Sequence, residues 1–283
     1  MCRSRRLAII GGMPRHILIT GGSRGIGRAI ALALAGPDTR FAIHCRERHD
    51  AAEDTLEAVR QRGGDGVVVT ADLTDLAQSQ ALFDGAAERL GGLDVLVHSA
   101  RPELPEFYLA PLELSPGAWE AASTSQGRAF LLGAQAASRS MRAGGRIVAI
   151  TYSPSTRTGS WQPWAAMGAA KAGLEALVRY FAVALAPQAV TVNAVSPGWV
   201  FGPHGTPDAT VLNGLPEPVQ EGLRDWHEQG WTPMRRLARP ADIADAVSLL
   251  CDPRAGFITG QVIHVDGGAS LMDPLAPLPI QAG

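Results

Sequence analysis

Short apolar runs and amphipathic stretches alternate along most of this chain. His16-Ile17-Leu18-Ile19 is a continuous apolar run of the kind that a strand covered on both faces requires, and residues 28–35 follow with the spacing of a helix. The alternation then repeats. Buried strands are predicted at 40–45, 66–70, 93–98, 146–151 and 190–195, and a seventh within 257–265. Helices are predicted at 51–62, 76–90, 119–142 and 164–186, with another starting at Arg239-Pro240. Gly63-Gly64, Gly91-Gly92 and Gly144-Gly145 stop the helices before them. Strands that alternate with helices are joined by right-handed crossovers and lie parallel. The fold class is therefore α/β, a doubly wound Rossmann-type sheet.

Between the first strand and the first helix stands Thr20-Gly21-Gly22-Ser23-Arg24-Gly25-Ile26-Gly27. Glycines here let the backbone turn tightly and let a diphosphate approach the start of the helix, where free N–H groups and the helix dipole hold negative charge. Strand, glycine turn and helix in this order predict a dinucleotide site formed by Gly21, Ser23, Arg24, Gly25, Ile26 and Gly27. The second strand ends His44-Cys45-Arg46, with no acid before Glu47 to grip a ribose 2′-hydroxyl. Two guanidiniums, Arg24 and Arg46, face that place instead, which predicts NADP(H) and a 2′-phosphate.

Composition narrows the picture. A formal charge of −2 gives no basic field for nucleic acid. Cys2, Cys45 and Cys251 are few, odd in number and scattered, so neither a disulfide framework nor a metal site is expected, and a reducing, cytoplasmic setting is. No apolar run approaches the roughly 20 residues that span a bilayer. Of 25 basic residues only Lys171 is a lysine, which marks it for a task that arginine performs poorly, such as presenting a compact ammonium with a tunable pKa. Residues 1–12 read as a disordered leader, with Met13 an alternative start, and 271–283 as a proline-rich tail. One domain, 13–270, is expected between them.

Five ordered features carry a resemblance to the short-chain dehydrogenase/reductase family: the T-G-x-x-x-G-x-G turn, Asp72-Leu73, Lys171-Ala-Gly, Ser196-Pro197-Gly198-Trp199-Val200, and Thr259-Gly-Gln-Val-Ile with Asp266-Gly-Gly. The resemblance spans about residues 15–268. It implies strand order 3-2-1-4-5-6-7 and a homo-oligomer that pairs the helices at 119–142 and 164–186. It places Asp72 and Leu73 beside the adenine, Ser99 and Ala100 beside the cofactor, and Pro197, Gly198 and Val200 over the nicotinamide, with Lys171 on its ribose.

The departures from the family are as informative. Asn-Asn-Ala-Gly is replaced by His98-Ser99-Ala100-Arg101, so Arg101 adds bulk where the family has none. The relay asparagine is missing: one anchor of the alignment puts Ser125 in its place, another Gln126. Tyr152 stands at the catalytic serine position and Met167 at the catalytic tyrosine, and methionine has no proton to give. Of the catalytic tetrad only Lys171 remains. An insert at 201–236, rich in proline and aromatics, reads as a lid. Arg101, Tyr152, Ser153, Trp164, Met167, Trp199, Phe201 and Trp226 are the expected substrate contacts.

Trp164-x-x-Met167-x-x-x-Lys171 is similar to the Tyr-x-x-Met-x-x-x-Lys pattern of enoyl-thioester reductases in the same superfamily. Loss of serine and tyrosine beside an intact cofactor cradle also resembles an atypical angucyclinone ketoreductase branch of antibiotic biosynthesis. The leading expectation is an NADPH-dependent ketoreductase acting on an aromatic polyketide, with the proton coming from a phenol of the substrate or from Tyr152, and more weakly from His98 or Ser99. An enoyl reductase and a non-catalytic NADP(H)-binding protein are the alternatives.

Overall fold

The computed structural model describes residues 15–101, 109–152, 164–203 and 205–272. Seven parallel strands form one sheet in the order β3-β2-β1-β4-β5-β6-β7. They are β1 (Arg15–Thr20), β2 (Thr39–Cys45), β3 (Asp65–Thr70), β4 (Leu93–His98), β5 (Met141–Ile150), β6 (Thr191–Pro197) and β7 (Val262–Val265). The helices are α1 (Gly25–Leu34), α2 (His49–Arg60), α3 (Leu76–Leu90), α4 (Pro116–Ser123), α5 (Ala129–Ser140), α6 (Ala165–Leu185), α7 (Glu217–Trp226) and α8 (Pro240–Cys251).

Alternation along each strand sends side chains to two cores. Leu18, Leu96, Ile147 and Val192 meet α3, α5 and α6 through Phe83, Phe130, Leu174 and Val178. Ile17, Ile19, Val97, Val148 and Val195 point the other way, onto Ile30 of α1 and Ile243 and Val247 of α8. Both faces are covered, which is why the central strands are apolar throughout. Strand order reverses between β1 and β4, and their carboxyl ends open there into a crevice.

Three expectations change. The strand at 66–70 is not buried throughout: β3 is a sheet edge, and Asp65, Val67 and Thr70 are exposed. The helix predicted over 119–142 is α4 and α5 joined by a π turn, Thr124–Arg128, and it ends at Ser140. Met141 pairs with Leu93, so β5 begins there, and Gly144-Gly145 sits at a register shift inside the strand instead of stopping a helix. The insert 201–236 is not only loop: it carries α7 and a second π turn, His227–Trp231. The leader, Ser153 and most of the tail lie outside the described residues.

Candidate active site

The glycine turn is built for close approach. Gly21 has φ +70°, and a Cβ there would stand 2.7 Å from Ala100 Cα; a Cβ on Gly27 would stand 2.1 Å from the Gly21 carbonyl oxygen. The turn is pinned from β2. Gly21 N–H donates to His44 Nδ1 at 3.1 Å, Gly22 N–H donates to the His44 carbonyl at 2.9 Å, and His44 Nε2 lies 3.0 Å from the Ala71 carbonyl. This arrangement fixes the neutral Nε2–H tautomer, and burial lowers the pKa of His44 to about 4. No side chain caps α1.

Gly21, residues 23–27 and the strand ends line one cleft. At one end stand Arg24, Arg46 and Arg48; Arg46 pairs with Glu47 at 3.0 Å. Asp72 and Leu73 are next to them. Burial alone would raise the Asp72 pKa, but Thr74, donating through N–H at 2.8 Å and Oγ1 at 2.7 Å, brings it below the usual range. A glycine turn at a helix start that carries no side-chain cap, with guanidiniums at one end of the cleft, fits the phosphates of an NAD(P)H dinucleotide.

The other end of the cleft is formed by Ser99, Ala100, Arg101, Ser125, Tyr152, Trp164, Met167 and Lys171, with Pro197, Gly198, Trp199 and Val200 beside them. Ser99 and Ala100 N–H groups both donate to Thr20 Oγ1, at 3.1 and 3.2 Å. Lys171 is buried on α6 and donates to the Ile150 carbonyl at 2.6 Å. Desolvation, then the nearby Arg101 charge, lowers its pKa to about 7, and Glu175 one turn further along α6 opposes the shift. Met167, one turn before Lys171, is buried and apolar. Tyr152 lies with its ring centroid 5.5 Å from that of Trp164, and burial raises its phenol above the ordinary value.

His98 does not line the cleft. It is buried beneath the cleft, its Nδ1 is 3.2 Å from Thr20 Oγ1, and burial, then Lys171, lowers its pKa to about 3. Two expected substrate contacts do not line the cleft. Phe201 is buried beside it under Arg224, 5.7 Å from ring centroid to guanidinium carbon. Trp226 is 41% exposed and packs on Trp231 and His227, whose ring lies 6.5 Å from that of Trp199. Ser153 lies outside the described residues.

The insert reaches the cleft through Ala209, Thr210 and Leu212. It docks on α1: Gly25 N–H donates to the Pro207 carbonyl at 2.9 Å, and Arg28 pairs with Asp208 at 2.6 Å. Sequence reading missed these residues, along with Arg48, Thr74 and Thr151. For Arg48 a signal exists: only Arg46, Glu47 and Arg48 separate β2 from α2, so all three crowd one strand end. Among the described residues there is no cluster of three metal-ligating side chains and no helix long and apolar enough to cross a membrane.

Comparison with known proteins agrees with this geometry. The profile of a family described as enoyl-(acyl carrier protein) reductase matches residues 21–270. A 1-cyclohexenylcarbonyl-CoA reductase of Streptomyces collinus is 37% identical over 257 residues, 91% of this chain and 87% of that one. The crystal structure of the angucycline C-6 ketoreductase LanV with bound NADP is similar at TM-score 0.79 and 31% identity, covering 93% of this chain and 98% of that one. A second, of landomycin C-6 ketoreductase LanV with bound NADP and rabelomycin, gives 0.76 and 29%, covering 92% and 98%. With its glycine turn, buried lysine and seven-stranded sheet, the chain belongs to the short-chain dehydrogenase/reductase family and is an NAD(P)H-dependent oxidoreductase.

Proposed function

We propose that this protein is an NADPH-dependent ketoreductase that reduces a carbonyl of an angucyclinone-like aromatic polyketide, with the proton supplied by the substrate. The observation that carries this is the composition of the reacting end. Lys171 is in place, but Met167 stands one helical turn away where a hydroxyl would be needed, and the walls are Tyr152, Trp164 and Trp199. Such walls suit a flat aromatic ring system. The structures of LanV with NADP, and with NADP and rabelomycin, support both cofactor and substrate class.

The residues divide the work. Arg24, Arg46 and Arg48 take the 2′-phosphate, the start of α1 takes the diphosphate, and Asp72 and Leu73 flank the adenine. Lys171 holds the ribose next to the nicotinamide, and Pro197, Gly198 and Val200 back the ring. When bound, NADPH supplies a hydride to the carbonyl carbon. The insert is a lid that excludes water through Leu212, beside Trp199 of the turn after β6. A phenol beside the reacting carbonyl already hydrogen-bonds to its oxygen, and it gives its proton as charge develops there. General acid catalysis is typically worth about 10²–10⁴-fold, so a substrate without that phenol is reduced poorly. The exposed Tyr180 and Val183 of α6 support a homo-oligomer built on that helix.

The test is a pair of measurements. Tyr152→Phe should keep turnover within a few-fold, and methylating the neighbouring phenol should abolish it. A dead Tyr152→Phe protein that still binds NADPH would move the proton to that tyrosine.

A second reading is an enoyl-thioester reductase. The 1-cyclohexenylcarbonyl-CoA reductase relative and the packing of Tyr152 on Trp164, ahead of Met167 and Lys171, favour it. NADPH consumption with enoyl-CoA thioesters, and none with hydroxyquinones or aromatic ketones, would select it.

A further inference from the structure

We propose that Arg28 and Asp208 are positioning residues for the nucleotide: their ion pair latches the insert to α1 beside the diphosphate end of the cleft and sets how fast the nucleotide leaves. This deepens the reading of the insert as a lid. It rests on the nucleotide alone, whichever substrate is reduced.

Around Asp208 the insert is closed on itself. Gly202 N–H donates to Asn213 Oδ1 at 3.2 Å, and Asn213 Nδ2 donates back to the Gly202 carbonyl at 2.9 Å. Thr210 N–H donates to the same Oδ1 at 2.8 Å. A Cβ on Gly202 would stand 1.8 Å from the Asp208 carbonyl oxygen, so the two sides meet backbone to backbone. A contact made at Asp208 therefore holds Ala209 and Thr210 as well.

Two contacts tie this unit to α1. Gly25 N–H donates to the Pro207 carbonyl at 2.9 Å, and Arg28 Nη1 donates to Asp208 Oδ1 at 2.6 Å. Their side chains are 15% and 37% exposed, so solvent screens the pair only in part. Gly25 opens α1, and the first N–H groups of a helix have no acceptor within it. The insert supplies one for Gly25. Arg28 is three residues on, the spacing that puts both contacts on one side of the helix. The helix start that faces the diphosphate thus also carries the insert.

Placement separates latching from binding. Ala209, Thr210 and Leu212 line the cleft together with Gly25, Ile26 and Gly27, whereas Arg28 and Asp208 do not. The pair stands behind the cleft wall, and the residues that follow Asp208 form it. Lifting that wall away from α1 breaks a charge-assisted hydrogen bond.

The experiment loads the protein with NADPH, mixes it with excess NADP⁺ and follows the fluorescence of bound NADPH as it is released. Arg28→Gln and Asp208→Asn should each speed release about 10-fold, the order of one partly screened charge-assisted hydrogen bond. The double variant should be no more than about two-fold faster than either, because both changes break the same contact. Arg28→Lys should recover part of the loss, since an ammonium can also donate to Asp208. The direction of the Asp208 effect is decisive. Without a latch, removing a positive charge near the phosphates speeds release, and removing a negative one slows it. Unchanged or slower release from Asp208→Asn, effects that multiply in the double variant, or Arg28→Lys as fast as Arg28→Gln would overturn the inference. Thermal melting within a few degrees of the unaltered protein certifies the fold of each variant. NADH also carries the diphosphate, so its release should speed by the same factor. A protein that prefers NADH, or that consumes NADPH with enoyl thioesters and not with ketones, would end the ketoreductase reading and leave the latch standing.

Discussion

Replacing Lys171 by methionine should change how the stability of the nucleotide-free protein depends on pH. The side chain is nearly isosteric along its stem, so packing on α6 is kept. In the unfolded chain the amine holds its proton up to about 10.4. In the folded protein burial and Arg101 lower that value to about 7. Between these limits the unfolded state binds more protons, so raising the pH favours the folded state. The gain is about 1.4 kcal/mol per pH unit, or roughly 2.7 kcal/mol from pH 7 to pH 9. Below pH 7 both states carry the charge, and the full cost of burying it, on the order of 5 kcal/mol, weighs on the native protein. Lys171→Met removes this contribution. Urea titrations of both proteins at pH 6, 7, 8 and 9 give the difference in unfolding free energy. It should favour the variant most at pH 6 and 7 and shrink steadily above that. Groups common to both proteins, including Cys45, Cys251 and Tyr152, cancel. A difference that stays constant from pH 6 to pH 9 would refute the reasoning, since it would mean that the amine keeps its ordinary pKa in the cleft.

Two other outcomes follow from the nucleotide end. Changing Arg24, Arg46 and Arg48 together to alanine should weaken NADPH by about 3 kcal/mol, roughly 100-fold, because Arg46 is already partly neutralised by Glu47 at 3.0 Å. Affinity for NADH should move less than three-fold, and fluorescence titration with both nucleotides checks this. Gly27→Ala sets a methyl carbon 2.1 Å from the Gly21 carbonyl oxygen. It should cost at least about 2 kcal/mol of stability, read by thermal melting, together with nucleotide binding.

The sheet and the cradle were legible because their signals are local. Apolar runs covered on both sides, and glycines followed by a helix, carry their own explanation. What escaped depends on neighbours far away in sequence. Whether 66–70 is buried depends on β3 being an edge. Where the helix after Trp119 ends depends on Met141 pairing with Leu93. The uncertainty between Ser125 and Gln126 has a physical root in the π turn. Both residues are buried there, Ser125 lines the cleft, and Gln126 Nε2 donates to the Ala100 carbonyl at 3.1 Å. An alignment that assumes plain helical spacing has no means to separate them. Phe201 and Trp226 belong to an aromatic-rich insert, but composition does not say which rings face inward. Lys171 was marked twice, by its being the chain's one lysine and by the Lys171-Ala-Gly run, and the structure places it in the cleft.

His44 gives the cradle an acid limit. Its Nδ1 accepts the Gly21 N–H, so a proton arriving on that nitrogen would set two donors face to face at the turn. The neutral ring is held from the ordinary 6.5 down to about 4. The stabilisation is complete above the ordinary value and drains away as the medium is acidified toward the lower one. Nucleotide carried through purification should therefore leave the protein on brief exposure to buffer near pH 3.5 and rebind on neutralisation, which would give a clean empty protein without denaturant. Nucleotide retained through that wash would show that the turn holds its shape without the histidine.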